Sequence, residues 1–219
     1  MVKETTAASS IERCVGLIHQ ALRTEATRAE ELVSRLEPGG SLQPFRNAFD
    51  SWASALLYVS EREDKVFSRS LVGHGHQRAP SPASNGDAPE GREEQIRLVM
   101  ASANEQEHME LTRKMEAVLE VLNDEIRDQQ VITRTKQHLY RQVMTLRIAQ
   151  EDHLETEAAM MLPALRAQMD EREQLKVARG LLIDEEAQDP RWIIDWVSQQ
   201  LNGTERESLK ELEARFDEP

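Results

Sequence analysis

The chain has 219 residues, of which 39% are hydrophobic, 31% charged and 4% aromatic, and its net charge is −13. That length suits one domain with appendages, and the dominance of Ala, Leu, Glu, Arg and Gln favours helix over sheet. The acidity argues against nucleic acid and against anionic membrane surfaces as partners, because both are held by basic patches.

Residues 1–9 read as a disordered leader. They hold no apolar stretch of the length a signal peptide needs. Ser9 and Ser10 are candidate caps for a first helix that runs to about Leu36. Its inward stripe is Val15, His19, Leu22, Ala26, Ala29, Val33 and Leu36, with one polar member, His19. Glu37-Pro-Gly-Gly40 stops it. Cys14, the single cysteine, lies beside this stripe. One cysteine allows no disulfide within the chain, and a reducing, cytoplasmic location is expected.

A second helix is expected from about Leu42 to Arg69. Its stripe is Phe45, Phe49, Trp52, Leu56, Val59, Glu63 and Val66. Glu63 stands where an apolar residue belongs. The short connection makes the first two helices antiparallel neighbours, and counting from the turn sets His19 and Glu63 at about the same level. Residues 70–92 are rich in Gly, Pro and Ser and read as a flexible loop. His74 and His76 fall in it and are taken as incidental.

The third helix is expected from about Glu93 to Glu125, with the stripe Ala101, Asn104, His108, Leu111, Met115, Val118 and Leu122. The fourth is expected from about Asp128 to Met169, with the stripe Leu139, Val143, Leu146, Gln150, His153, Glu157 and Met160. The fold class is therefore all-α: an up-down four-helix bundle over 10–169 with a C-terminal helical extension over 170–219. In that extension Trp192, Ile193 and Trp196 form an apolar patch. Thr204 and Glu207 read as the cap pair of a last helix. Its stripe, Leu209, Leu212 and Phe216, could dock on the bundle or on a second copy in a homodimer. There is no apolar run of 18 residues to span a membrane.

Five inward polar residues come from four helices: His19, Glu63, His108, His153 and Glu157, with Asn104 and Gln150 beside them. Buried carboxylates are costly unless they are paired or bound to a cation. Imidazole with carboxylate suits iron, manganese or zinc. The same set also suits a buried polar network without metal. Other chemistries lack their motifs: there is no GxGxxG, P-loop, GxSxG or HExxH.

The segments Ile18-His19, Glu63-Asp-Lys-Val-Phe67, Glu107-His108-Met-Glu-Leu111 and His153-Leu-Glu-Thr-Glu157 with Leu162-Pro-Ala-Leu165 stand in this order along the chain. Together they resemble the hemerythrin family in its HHE cation-binding branch, over about residues 10–168. The resemblance implies a non-haem di-iron site, bridged by Glu63 and Glu157, with His108 and His153 on one metal and His19 on the other. Two positions depart from the family pattern. Val59 stands where a His usually precedes the helix-2 Glu, and Asn104 stands one turn before His108. The His19 metal then lacks a nitrogen ligand unless Glu61, Tyr58 or water completes it. A metal with open positions has room for O₂, peroxide or a small-molecule substrate. The expected function is thus activation of O₂ or peroxide, in a dry pocket lined by Trp52, Leu56, Val59, Leu111, Met115 and Met160. The competing expectations are a non-catalytic O₂ or iron sensor and a metal-poor helical interaction protein.

Overall fold

A computed structural model of the chain describes residues 8–72, 89–126 and 132–217, with side chains over 8–66, 95–123 and 132–217. Most of the loop expected over 70–92, including His74 and His76, lies outside the described residues, as does the leader as far as residue 7. The described residues are predominantly helical, without a strand.

Four long helices carry the stripes: α1 (Ser10–Ser34), α2 (Gln43–Val72), α3 (Pro89–Glu120) and α4 (Thr133–Thr156). They pack as a closed ring in which α1 touches α2 and α4, and α3 touches the same two. Local signals start and stop α1. Ser9 accepts a hydrogen bond from the Glu12 N–H, and Glu12 accepts one from the Ser9 N–H, so two otherwise unpaired donors are satisfied. Beyond its end the chain turns at Gly39, whose φ of 77° suits a residue without a Cβ. At Gly40 a Cβ would sit 2.9 Å from the Glu37 carbonyl oxygen, so only glycine fits.

The α1 stripe is buried in full, His19 included. On α2 the positions from Phe45 to Glu63 are buried, and Trp52 is one of the largest fully buried side chains. On α3 burial runs from Asn104 to Val118 and continues to Leu122 in the π-helical segment Val121–Ile126 that follows, and on α4 it runs from Leu139 to His153. The spacing of three and four residues thus finds the inner face of every long helix.

The fourth helix departs from its expected course at its end. Glu157–Met161 is a π-helical turn, and the Leu162 N–H bonds back to the Glu157 carbonyl. One added residue in the turn rotates the helix beyond it. Met161 is buried at 3% exposure, while Met160, the expected stripe residue, is 53% exposed. Met160 is therefore not a buried wall of the site. The helix resumes as α5 (Leu162–Gln168) and ends before Asp170, which caps α6 (Glu171–Leu182) together with Glu173.

The tail continues with α7 (Trp192–Gln200) and α8 (Gly203–Glu213). The cap pair of α8 is Asn202 and Glu205, not Thr204 and Glu207; an Asn side chain accepts from the third helical N–H as a hydroxyl does. Helices α6, α7 and α8 all pack on α1. Leu175, Leu181, Ile193, Ile194, Val197, Leu209 and Leu212 join the same buried cluster as the long helices. The last stripe therefore docks within its own chain. Polar bonds fix this docking to α2: the Trp196 indole N–H donates to Ser51 at 2.7 Å, and Arg62 pairs with Asp184 at 2.7 Å. Among the described residues no helix is long and apolar enough to cross a membrane.

Candidate metal centre

One layer of the ring carries the five expected residues. His19 comes from α1, Glu63 from α2, His108 from α3 and His153 from α4, and Glu157 opens the π-turn after α4. Each is at most 4% exposed. They fall into two groups whose ligand atoms lie within 4.8 Å of one another: Glu63, His108 and His153 in one, and His19, Glu63 and Glu157 in the other. Glu63 belongs to both. These buried groups could hold a metal ion.

The histidine orientations are set by partners that the stripe pattern does not reveal. His108 Nδ1 donates to Asp64 Oδ1 at 2.8 Å, and His153 Nδ1 donates to Glu107 Oε2 at 2.8 Å. Both carboxylates are about one-third exposed, with 37% of each side chain accessible. They sit at the rim and hold the rings from outside. With its proton fixed on Nδ1, a neutral imidazole presents a lone pair at Nε2. The two Nε2 atoms face each other at 3.1 Å. His108 Nε2 is also 3.4 Å from Glu63 Oε2. Two lone pairs at that separation repel unless a cation lies between them. Neighbouring ligands about 2.1 Å from one ion and at right angles lie about 3.0 Å apart.

Burial alone would lower the pKa of His108, but hydrogen bonds to Asp64 and Glu63 and their charge outweigh it and raise the value to about 10. Glu63 is pushed up, first by burial and then by the charge of Glu157 beside it. On the other side of the layer His19 Nε2 meets Glu157 Oε2 at 2.8 Å. The remaining oxygens, Glu63 Oε1 and Glu157 Oε1, are buried with no partner among the described residues. Unpaired buried carboxylate oxygens are costly. A cation that accepts both would remove the cost, so the residues fit a metal.

The polar neighbours are buried as expected. Gln150 is 1% exposed and Asn104 5%. The Trp52 indole N–H donates to Gln150 Oε1 at 2.6 Å. An indole nitrogen can only donate, so this bond fixes which end of the amide faces it. Val59 is 2% exposed and adds no donor atom. Neither expected substitute reaches the layer. Glu61 pairs with Lys65 on the surface, and the Tyr58 hydroxyl donates to the Gly180 carbonyl at 3.4 Å while its ring packs edge-on to Trp192. Cys14 is fully buried with its sulfur 3.7 Å from the Ala178 carbonyl, and burial raises its thiol pKa, so it stays an unreactive thiol.

Asp64 and Glu107, which hold His108 and His153, are the residues of this layer that the stripe pattern missed. Each adjoins an expected ligand in the chain, Glu63 and His108. A neighbour on a helix is turned by about 100°, which takes it off the stripe and toward the adjoining helix. An acid next to a ligand was the available signal.

Compared with protein-family models, with curated proteins and with solved structures, the chain matches none.

Proposed function

We propose that this chain is a hemerythrin-like, up-down four-helix bundle that holds two iron ions and uses them to activate O₂ or peroxide. The observation that carries this reading is the sharing of Glu63 by two buried ligand groups, one of which contains two imidazole nitrogens aimed at the same point. In this reading His108, His153 and Glu63 hold one ion, and His19, Glu63 and Glu157 hold the other. Each carboxylate has one oxygen beside a histidine and a second without a partner among the described residues. That is the arrangement a bridging carboxylate needs. Nitrogen and oxygen donors accept manganese and zinc as well as iron; iron is chosen because the proposed reaction is redox chemistry. Bound iron would supply the electrons that reduce O₂ or peroxide.

The chain contributes the rest. Asp64 and Glu107 fix the imidazole tautomers. Val59, Leu56, Leu111 and Met115 are buried apolar side chains of the same stripes, and they would help keep bulk water from bound iron. Val59 in place of a nitrogen donor leaves the His19 ion with fewer protein ligands, and an open position is where an exogenous molecule reacts.

Anaerobic loading with ferrous iron, and then elemental analysis, tests the binding. The reading expects about two ions per chain, and protein that takes up none contradicts it. Peroxide added to the loaded, reduced protein with an excess of a chemical reductant such as ascorbate, which returns the iron to the ferrous state, then tests the chemistry. Repeated turnover is expected; a single stable adduct would assign the chain to binding instead.

A further inference from the structure

A groove of about 860 Å³ runs between α2 and α6, and none of the five layer residues lines it. Arg62 and Lys65 of α2 and Lys176 and Arg179 of α6 line it, with Glu185 and Glu186 from the loop after α6. The chain has 40 acidic and 27 basic side chains, so a lining with twice as many cations as carboxylates reverses the balance of the rest. Val66, Val177 and Ile183 add half-buried apolar surface to it. Arg62 is held in place. Its Nη2 donates to Asp184 Oδ1 at 2.7 Å and to Glu186 Oε2 at 3.5 Å, and its guanidinium lies 5.2 Å from the centre of the Tyr58 ring. Both acids bind through Nη2, while three of the five guanidinium N–H donors lie on Nε and Nη1. Lys176 has no partner among the described residues. Lys65 pairs with Glu61 at 2.7 Å and Arg179 with Glu185 at 3.0 Å, but all four side chains are at least 44% exposed. Exposed pairs of this kind contribute little and give way to a better anion.

We propose that this groove binds a small-molecule phosphate monoester with an apolar organic part. The proposal is independent of the two-ion reading. Charge selects the phosphate. A monoester carries about −1.5 to −2 at pH 7 and offers three acceptor oxygens, enough for the Arg62 fork and the Lys176 ammonium together. A single carboxylate has two oxygens and one charge, and it satisfies only one of these partners well. The apolar part is selected by Val66, Val177 and Ile183, whose half-buried side chains a ligand would cover. The volume lies within the roughly 300–1,000 Å³ of small-molecule sites. Gly180 keeps the groove open. It is exposed on α6, and a Cβ there would meet nothing within 4 Å.

The test uses the whole chain after chelator treatment, so that no bound iron can take the phosphate. A negative result then leaves the reading of the metal layer untouched, and failure of iron loading leaves this proposal untouched. Calorimetry compares phenyl phosphate with inorganic phosphate, which lacks the apolar part, and with benzoate, which keeps the ring and carries one charge. Phenyl phosphate should bind about tenfold more tightly than either. Absence of phenyl phosphate binding overturns the proposal. Inorganic phosphate that binds equally well overturns the apolar part, and benzoate that binds equally well overturns the choice of phosphate. Lys176→Gln removes an exposed charge and should raise the phenyl phosphate Kd about tenfold, the usual effect of one lost hydrogen bond to a charged group. Gly180→Phe places a ring in the groove from a position with open space around it. It should raise the Kd at least tenfold and leave the Tm at the wild-type value or above, because glycine is a poor helix residue. A Kd within about twofold of wild type in either variant overturns the proposed site. Arg62 is left intact throughout, because its bond to Asp184 also fixes the C-terminal extension to α2.

Discussion

The Nε2 atoms of His108 and His153 lie 3.1 Å apart, and a carboxylate fixes each ring from its opposite side, Asp64 on one and Glu107 on the other. Both Nδ1 positions are committed, so the space between the rings suits a cation. In the proposed reading a metal ion would take that space in the loaded protein. Metal uptake should therefore release protons, and affinity should rise with pH up to about 10, where His108 loses its extra proton. Titration in a weakly buffered solution with a pH electrode checks the release. Uptake without proton release would show that His108 is not protonated there.

The same linkage predicts a stability trend. The pKa of His108 is raised in the folded state, so its contribution is fully present below the ordinary value of 6.5 and is lost as pH climbs to about 10. Glu63 has the same sign: its contribution is present below 4.5 and is lost as pH rises through its raised value. The metal-free protein should thus melt at lower temperature as pH rises from 6.5 toward 10. The Tm gain on adding metal should widen over the same interval. Melting curves of chelator-treated and loaded samples across that range give the comparison.

Removing either outer carboxylate should weaken metal binding without unfolding the chain. Asp64 and Glu107 are about one-third exposed, so alanine at either position opens no core cavity. Loss of the partner frees the tautomer and the ring orientation, which usually costs about 10–100-fold in affinity. Competition against a chelator of known affinity measures it. Wild-type affinity in Glu107→Ala would mean that His153 is oriented by packing alone.

Glu63 and His19 should behave differently when removed. Glu63 belongs to both ligand groups and His19 to one. Glu63→Ala should leave no tightly bound metal, and His19→Ala should leave about one ion per chain. Elemental analysis after gel filtration distinguishes them. Equal losses in the two variants would argue against two separate ions.

Trp52 and Gln150 offer a test of the layer's packing that is independent of metal. Trp52→Phe removes the indole donor 2.6 Å from Gln150 Oε1 and leaves that buried oxygen unpaired. The expected cost is about 1–3 kcal/mol. The double variant Trp52→Phe/Gln150→Leu removes both polar partners and should recover part of the loss. Denaturant unfolding of the metal-free proteins measures each step.

The inner faces of the four long helices were legible in the sequence because burial there keeps a period that side chains alone reveal. His19, Glu63, His108, His153 and Glu157 stood out as polar interruptions of that period, and the structure brings all five into one layer. The period failed where the backbone departed from it. The π-turn at Glu157 adds a residue, so Met161 takes the place expected for Met160. No side-chain pattern marks that insertion. Asp64 and Glu107 were missed because they flank the stripes, where acids ordinarily face water. The α8 cap was misplaced by two residues because Asn202-Gly-Thr204 offers two capping side chains close together, and only the fold selects between them. Helix α6 was not resolved within the extension, although Asp170 and Glu173 carry the capping signature.

The central claim is a buried two-ion centre in which Glu63 serves both ions. The most direct measurement is the iron content of the purified chain after anaerobic loading and removal of loosely bound metal. The account predicts about two ions per chain, falling to none in Glu63→Ala. A wild-type chain that remains metal-free, with His108 and His153 held only by their carboxylates and a shared proton, would contradict it.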